Sequence, residues 1–157
     1  MDDRELERAV DRFAPSVYRL AYARTGSRAD AEDVMQEVFL RLVGKRPDFR
    51  DDDHCRAWLL RVTVNCANDL FRSAWRRRTV ALTEDLTAPG PEEGGELAAV
   101  LELPEAYRVP IHLFYYEELS VAEIAAVLGK SEGAVKTRLS RGRELLREKL
   151  KGAVEHV

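Results

Sequence analysis

S-V-A-E-I-A-A-V-L-G-K-S-E-G-A-V-K-T-R-L-S-R (Ser120–Arg141) holds the requirements of a helix-turn-helix in one short segment. Ser120 with Glu123 three residues on is a full capping box, in which each side chain satisfies a backbone N–H that the helix start leaves unpaired. The helix it opens ends at Leu128, and Gly129 supplies the left-handed turn that a residue with a Cβ resists. Ser131 then caps a final helix running to about Lys151. Helices crossing over so tight a turn need a small residue at the crossing, a turn residue tolerant of positive φ, and an apolar plug in the second helix. Ala125, Gly129 and Val135 stand at those places, and Ile124, Leu128 and Leu139 complete a small core. The outward face of the second helix carries Lys136, Thr137, Ser140 and Arg141, flanked by Arg138 and Arg143. On duplex DNA, Ser131, Glu132 and Lys136 near the N-terminal end reach base edges, and the basic residues further along grip phosphates.

Upstream of this pair, Pro104 starts a helix that reaches about Glu117. Basic charge gathers at this end of the chain, where residues 130–151 hold eight Lys/Arg against three Asp/Glu. The net charge of −3 therefore does not argue against nucleic acid, because a polyanion meets a local face and not the total. The acidic excess lies in residues 82–103, which carry six acids and no base. Within them Thr83–Glu96 has two prolines, three glycines and five acids. Such a segment has too little apolar surface to build a core and reads as a flexible linker. On both sides of it apolar residues recur at three and four, with no strand-like alternation. The expected fold class is all-α: two small helical domains joined by a flexible acidic linker, the C-terminal one a helix-turn-helix. The boundaries fall at residues 1–82, 83–98 and 99–157.

The N-terminal part reads as four helices. The first runs from Asp3 to about Phe13, and Pro15 opens a second that ends near Gly26. Ser27 caps a third, with Asp30 as a short version of the capping box. Its apolar residues are Ala31, Val34, Val38 and Leu42, and Gly44 and Pro47 close it. A loop then leads to a long fourth helix, capped by one of Asp51, Asp52 or Asp53 and continuing to about Val80. On that helix Leu59, Val62, Cys66 and Leu70 form an apolar stripe. On another side Arg61, Asn65, Asn68, Arg72 and Arg76 align at intervals of four, three, four and four. Amides pair with base edges and guanidinium groups with phosphates, so this stripe could track a nucleic-acid strand, with Arg77 extending its positive end. Phe49, His54 and Trp58 gather just before it. Unstacked bases bind on aromatic faces, but Trp58 sits at helical spacing and is assigned to the core, while Phe49 is open to either role.

Other classes find little support. No apolar run approaches the roughly 20 residues that span a membrane. Met1 to Glu7 are mostly charged, unlike a secretory signal, and a cytoplasmic location without direct membrane insertion is expected. Cys55 and Cys66 on one helix are about 16 Å apart, beyond the roughly 7 Å that a disulfide allows. They read as small buried apolar residues. The three histidines are scattered with no metal-ligand or nucleophile partner at useful spacing, and there is no phosphate-binding glycine loop. Neither an enzyme, a metal nor a cofactor is expected. A stand-alone DNA-binding regulator is the nearer rival, although the N-terminal half lacks the strands of a receiver domain.

Three motifs in register sharpen the reading: D-A-E-D-V-M-Q-E-V-F-L-R-L (Asp30–Leu42), A-W-L-L-R-V-T-V-N-C-A-N-D-L-F-R (Ala57–Arg72) and the helix-turn-helix. Together they resemble an extracytoplasmic-function sigma factor of bacteria, in family order and at family length. The resemblance implies a sigma region 2-like domain at 1–82 and a sigma region 4-like domain at 99–157. It implies that the first motif docks on core RNA polymerase, with Asp30, Asp33, Gln36, Glu37 and Leu40 at or near the contact. It implies that Arg61, Asn65, Asn68, Arg72, Arg76 and Arg77 lie in the segment recognising and melting the minus-ten element of promoter DNA. A base captured from the non-template strand would enter a pocket made by the loop at 48–54. The helix-turn-helix would read the minus-thirty-five element as duplex. The third region and the acidic N-terminal region of primary sigma factors are expected to be missing, with the linker threading near the polymerase RNA exit path. Family members are commonly held by an anti-sigma factor, and no residue here identifies such a partner.

Overall fold

The computed structural model describes residues 1–78 and 96–155, with side chains described for 1–72 and 99–152. The chain forms two compact units, Met1–Leu86 and Thr87–Val157. Every regular element among the described residues is a helix.

In the first unit, α1 (Asp3–Thr25), α2 (Arg28–Lys45) and α3 (Asp52–Arg78) pack pairwise into a three-helix bundle. Where the sequence predicts a break at Pro15, α1 runs through it. The reason is the stripe Ala9, Phe13, Val17, Leu20 and Ala21, which stays buried on both sides of the proline while Pro15 faces solvent. Burying such side chains gains about 1.5–3 kcal/mol each, which together outweighs the ~3 kcal/mol of an interior proline. Asp2 opens α1 with a capping box, its carboxylate accepting from the Glu5 N–H at 2.8 Å. Gly26 closes it at φ 71°. Ser27 caps α2 by accepting from the Asp30 N–H at 3.3 Å.

The end of α2 also departs from expectation. Gly44 stays helical, and Arg46 takes the left-handed cap at φ 41°, tied by its guanidinium to Asp3 at 2.7 Å. Of the three candidate caps for α3, Asp51 fills the role, accepting from the His54 N–H at 2.8 Å. The core face of α3 is formed by Cys55, Leu59, Leu60, Val64, Cys66 and Ala67, with Thr63 donating to the Leu59 carbonyl at 2.7 Å. Val62 and Leu70, expected on the buried stripe, are half-buried, because α3 packs against two helices and its core face is broader than a single row.

The first described element of the second unit is a helix that the sequence did not predict. α4 (Glu96–Leu101) overlaps the end of the predicted linker, with Ala99 and Val100 buried and Leu103, just past it, buried as well. Arg108 donates to the carbonyls of Leu101 and Leu103, at 3.2 and 3.3 Å, and so closes the α4 end. α5 (Glu105–Tyr115), α6 (Val121–Leu128) and α7 (Glu132–Glu155) follow, and α7 touches the other three. The α6–α7 turn matches the sequence expectation, except that Leu128, expected in its core, is half-buried. Ser120 and Glu123 form the capping box, and Gly129 sits at φ 65° with its N–H bonded to the Ala125 carbonyl. Ser131 accepts from the Ala134 N–H at 3.1 Å. Val135, Ile124 and Leu139 are fully buried at the crossing. Among the described residues no helix is long and apolar enough to cross a membrane.

Candidate nucleic-acid interface

α3 presents Arg61, Asn65 and Arg72 to solvent along one side. Arg72 is held by Asp69 at 2.8 Å, and Asp69 is also reached from α2 by Arg41 at 3.5 Å. Asn68, on the same side, is half-buried, and its Oδ1 accepts twice from Arg24 of α1, at 3.3 Å from Nε and 3.0 Å from Nη2. The Arg24 guanidinium lies over the Phe71 ring, 4.3 Å from its centroid. Arg24 is a residue that sequence reading missed, because nothing at a separation of 44 positions announces the contact. Arg76 and Arg77 continue α3, and their side chains lie outside the described residues.

At the start of α3, Phe49 packs against Trp58 with centroids 5.7 Å apart and meets His54 edge-on at 5.3 Å. His54 Nδ1 accepts from the Arg50 N–H at 3.1 Å, fixing the loop to the helix. Trp58 is half-buried, which fits the core assignment only in part. Beside this loop a cleft of about 320 Å³ opens toward α1, bordered by Phe13, Pro47, Asp48, Phe49 and Asp51. The Met1 ammonium binds Asp48 at 3.1 Å, and Arg12 binds Asp52 at 3.0 Å.

The exposed side of α2 carries Asp33, Gln36, Glu37 and Leu40. Leu40 is 65% exposed, the most of any large apolar side chain described, with Val43 one turn on at 45%. Asp30 sits half-buried in the first turn. Glu37 is bonded by Arg41 at 3.3 Å. The face is an acidic and amide surface with an apolar centre.

On α7, exposed Lys136, Thr137, Ser140 and Arg141 border one shallow depression with Glu144. Arg141 pairs with Glu144 at 3.1 Å. Ser131 and Glu132 are exposed at the helix start, Ser131 serving as cap. Arg138 is half-buried at the flank. Arg143 is turned back onto α5: its Nε donates to the Tyr115 hydroxyl at 2.7 Å, and its guanidinium stacks near Phe114 and Tyr115. The structure thus gathers four of the predicted recognition residues and directs Arg143 to packing.

Both cysteines are buried and unbridged. Burial, reinforced by Asp52, pushes the Cys55 thiol up to about 11. Burial also raises Cys66, with Arg41 opposing and Glu37 and Asp69 adding to the shift.

These surfaces can be set beside known proteins. Residues 9–77 match the family Sigma-70 region 2, and residues 97–146 match Sigma-70, region 4. The chain is 36% identical over 162 residues to the ECF RNA polymerase sigma factor SigW of Bacillus subtilis, covering 90% of this chain and 87% of SigW. It belongs to the ECF sigma factor family. The ECF sigma factor SigE of Mycolicibacterium smegmatis is 38% identical over 154 residues, and the match covers 90% of this chain and 60% of SigE. Among solved structures, the sigma factor RpoE of Bartonella quintana, determined with the anti-sigma factor NepR, shares the fold at a TM-score of 0.80 and 22% identity. It is matched over 94% of this chain and 98% of that one. CnrH, solved with the cytosolic domain of CnrY, gives 0.68 and 27%, over 96% of this chain and 90% of its own. Within this ECF sigma factor the region 2 match spans most of α1, all of α2 and nearly all of α3, and the region 4 match spans α4 to most of α7.

Proposed function

We propose that this chain binds core RNA polymerase and directs promoter-specific transcription initiation by recognising and melting promoter DNA. The observation that carries the reading is the presence, in one family member, of three distinct exposed faces. The acidic-amide face of α2, with Leu40 at its centre, suits a basic helical partner on core polymerase. The side of α3 bearing Arg61, Asn65, Asn68 and Arg72 suits the non-template strand of the minus-ten element, with Arg76 and Arg77 further along. The loop at 48–54, with Phe49 beside its cleft, suits an extruded base. Lys136, Thr137, Ser140 and Arg141 of α7 suit a duplex major groove at the minus-thirty-five element, with Ser131, Glu132 and Arg138 beside them.

No covalent step is involved. Binding to core polymerase places two modest DNA readers on one scaffold, so that the second contact becomes effectively intramolecular. Strand opening is driven by binding free energy, with captured bases offsetting the lost stacking. A cytoplasmic site of action follows from that role. An anti-sigma factor is a further proposed partner, supported by the complexes of RpoE with NepR and CnrH with CnrY.

The test is transcription from a promoter library by core polymerase of a related bacterium, with and without the purified chain. A defined set of new start sites is expected only when the chain is present. Duplex binding without any polymerase-dependent transcript would instead establish a stand-alone regulator.

A further inference from the structure

Asn68 is held from the side by a residue outside its own helix. We infer that Arg24 is a specificity-determining positioning residue, which holds Asn68 as a donor-only amide toward the promoter strand. The inference rests on the reading of α3 as a strand-reading surface and adds to it which hydrogen-bonding group is read.

Donor and acceptor types fix the orientation of the amide. A guanidinium group can only donate. The amide prong facing Arg24 must therefore be the oxygen, whichever way the amide is drawn. Arg24 Nε and Nη2 both reach Asn68 Oδ1, at 3.3 and 3.0 Å, so both hydrogen bonds that this oxygen accepts come from α1. The prong not engaged by Arg24 is the Nδ2 amine, which only donates.

Arg24 is itself fixed. Its guanidinium stacks on Phe71, 4.3 Å from the ring centroid, and it stands in the last turn of α1, where a positive charge is favoured by the helix dipole. Phe71 and Asn68 are three residues apart on α3 and so share a side of the helix. One cation from α1 thus clamps an aromatic and an amide of α3 together.

The chemical consequence concerns adenine. Asparagine ordinarily pairs with adenine through one acceptor and one donor, receiving from N6 and donating to N7. With Oδ1 occupied, the acceptor half of that pair is missing. On the base edge that faces the major groove in a duplex, a donor-only amide favours an exocyclic keto oxygen, the O4 of thymine or the O6 of guanine. It disfavours the exocyclic amino group of adenine or cytosine, where two donors would oppose each other.

The experiment uses holoenzyme assembled from core polymerase and the full chain. Strand opening is followed by permanganate reactivity of thymines held constant elsewhere in the melted segment, on promoters carrying each of the four bases at every other minus-ten position. Asn68→Ala first locates the position at which base preference depends on this residue. There the native protein should favour thymine and guanine, and Arg24→Ala should raise opening with adenine relative to thymine by about fivefold or more. Arg24→Lys keeps the charge and offers a single point of contact in place of the fork, so it should relax the preference partially while preserving the fold. Core binding and the thermal midpoint are measured for each variant. If Arg24→Lys, folded and bound to core, lowers opening equally for all four bases, Arg24 only supports the bundle and the inference is overturned. A native preference for adenine at that position overturns it as well. A flat response to Asn68→Ala at every position would overturn both this inference and the strand-reading role of Asn68.

Discussion

At the level of single residues, exposure and burial decide which side chains act outward. Leu40 is 65% exposed beside Asp33, Gln36 and Glu37, so Leu40→Arg should weaken core polymerase binding by about tenfold or more while the thermal midpoint stays unchanged. A fluorescence titration of labelled core checks the first, and circular dichroism the second. Cys55 shows the opposite behaviour. Its thiol is raised to about 11 by burial and by Asp52, so alkylation of the folded protein should be slow at pH 8. The raised value also fixes a sign. The contribution of this group to stability is complete below about pH 9 and is lost as pH climbs toward 11, because the unfolded thiol ionises first. Melting curves should show that fall, and Cys55→Ala should reduce it. The burial of both cysteines was legible in the sequence from their apolar character and the absence of a bridging or metal-binding partner. The clamp of Arg24 on Asn68 was not, because it joins positions far apart in the chain through tertiary packing.

At the scale of elements, α7 has an exposed side and a packed side. Its outer side holds Lys136 and Arg141. Replacing either by alanine should weaken binding to the upstream element, and the slope of log affinity against log salt should shrink by about 0.9 for each phosphate no longer neutralised. Its inner side closes on α5 at Gly142, where an added Cβ would stand 2.9 Å from Ile111 Cγ1 and 3.4 Å from Tyr107 Cβ. Gly142→Leu should therefore destabilise the second unit by roughly 1–3 kcal/mol or more through overpacking, read as a lowered denaturation midpoint. The helix-turn-helix itself was legible because its capping box, left-handed glycine and apolar plug are local signals. Pro15 misled for a related reason. A proline is a strong local break signal, but the buried stripe from Ala9 to Ala21 overrides it. α4 was missed because six residues beside an acidic segment carry too short a pattern, and its stability comes from Ala99 and Val100 packing within the second unit.

For the molecule as a whole, two units with separate cores are joined by a segment of Pro, Gly and acidic residues. Severing the chain within residues 83–95 should leave the helicity of each unit intact. It should also lower promoter-specific transcription by about a hundredfold, since the second DNA contact would cease to be intramolecular. Far-ultraviolet dichroism and a run-off assay on the cut and uncut proteins would show it. The sequence by itself determined the helical class, the division near the acidic segment and the helix-turn-helix. These follow from periodicity, capping and composition, which act over a few residues. Only the tertiary structure decided that α1 is continuous, that Arg143 serves Tyr115 and that Asn68 turns its oxygen inward to Arg24. Those outcomes depend on which side chains meet across helices, and packing between distant segments sets that.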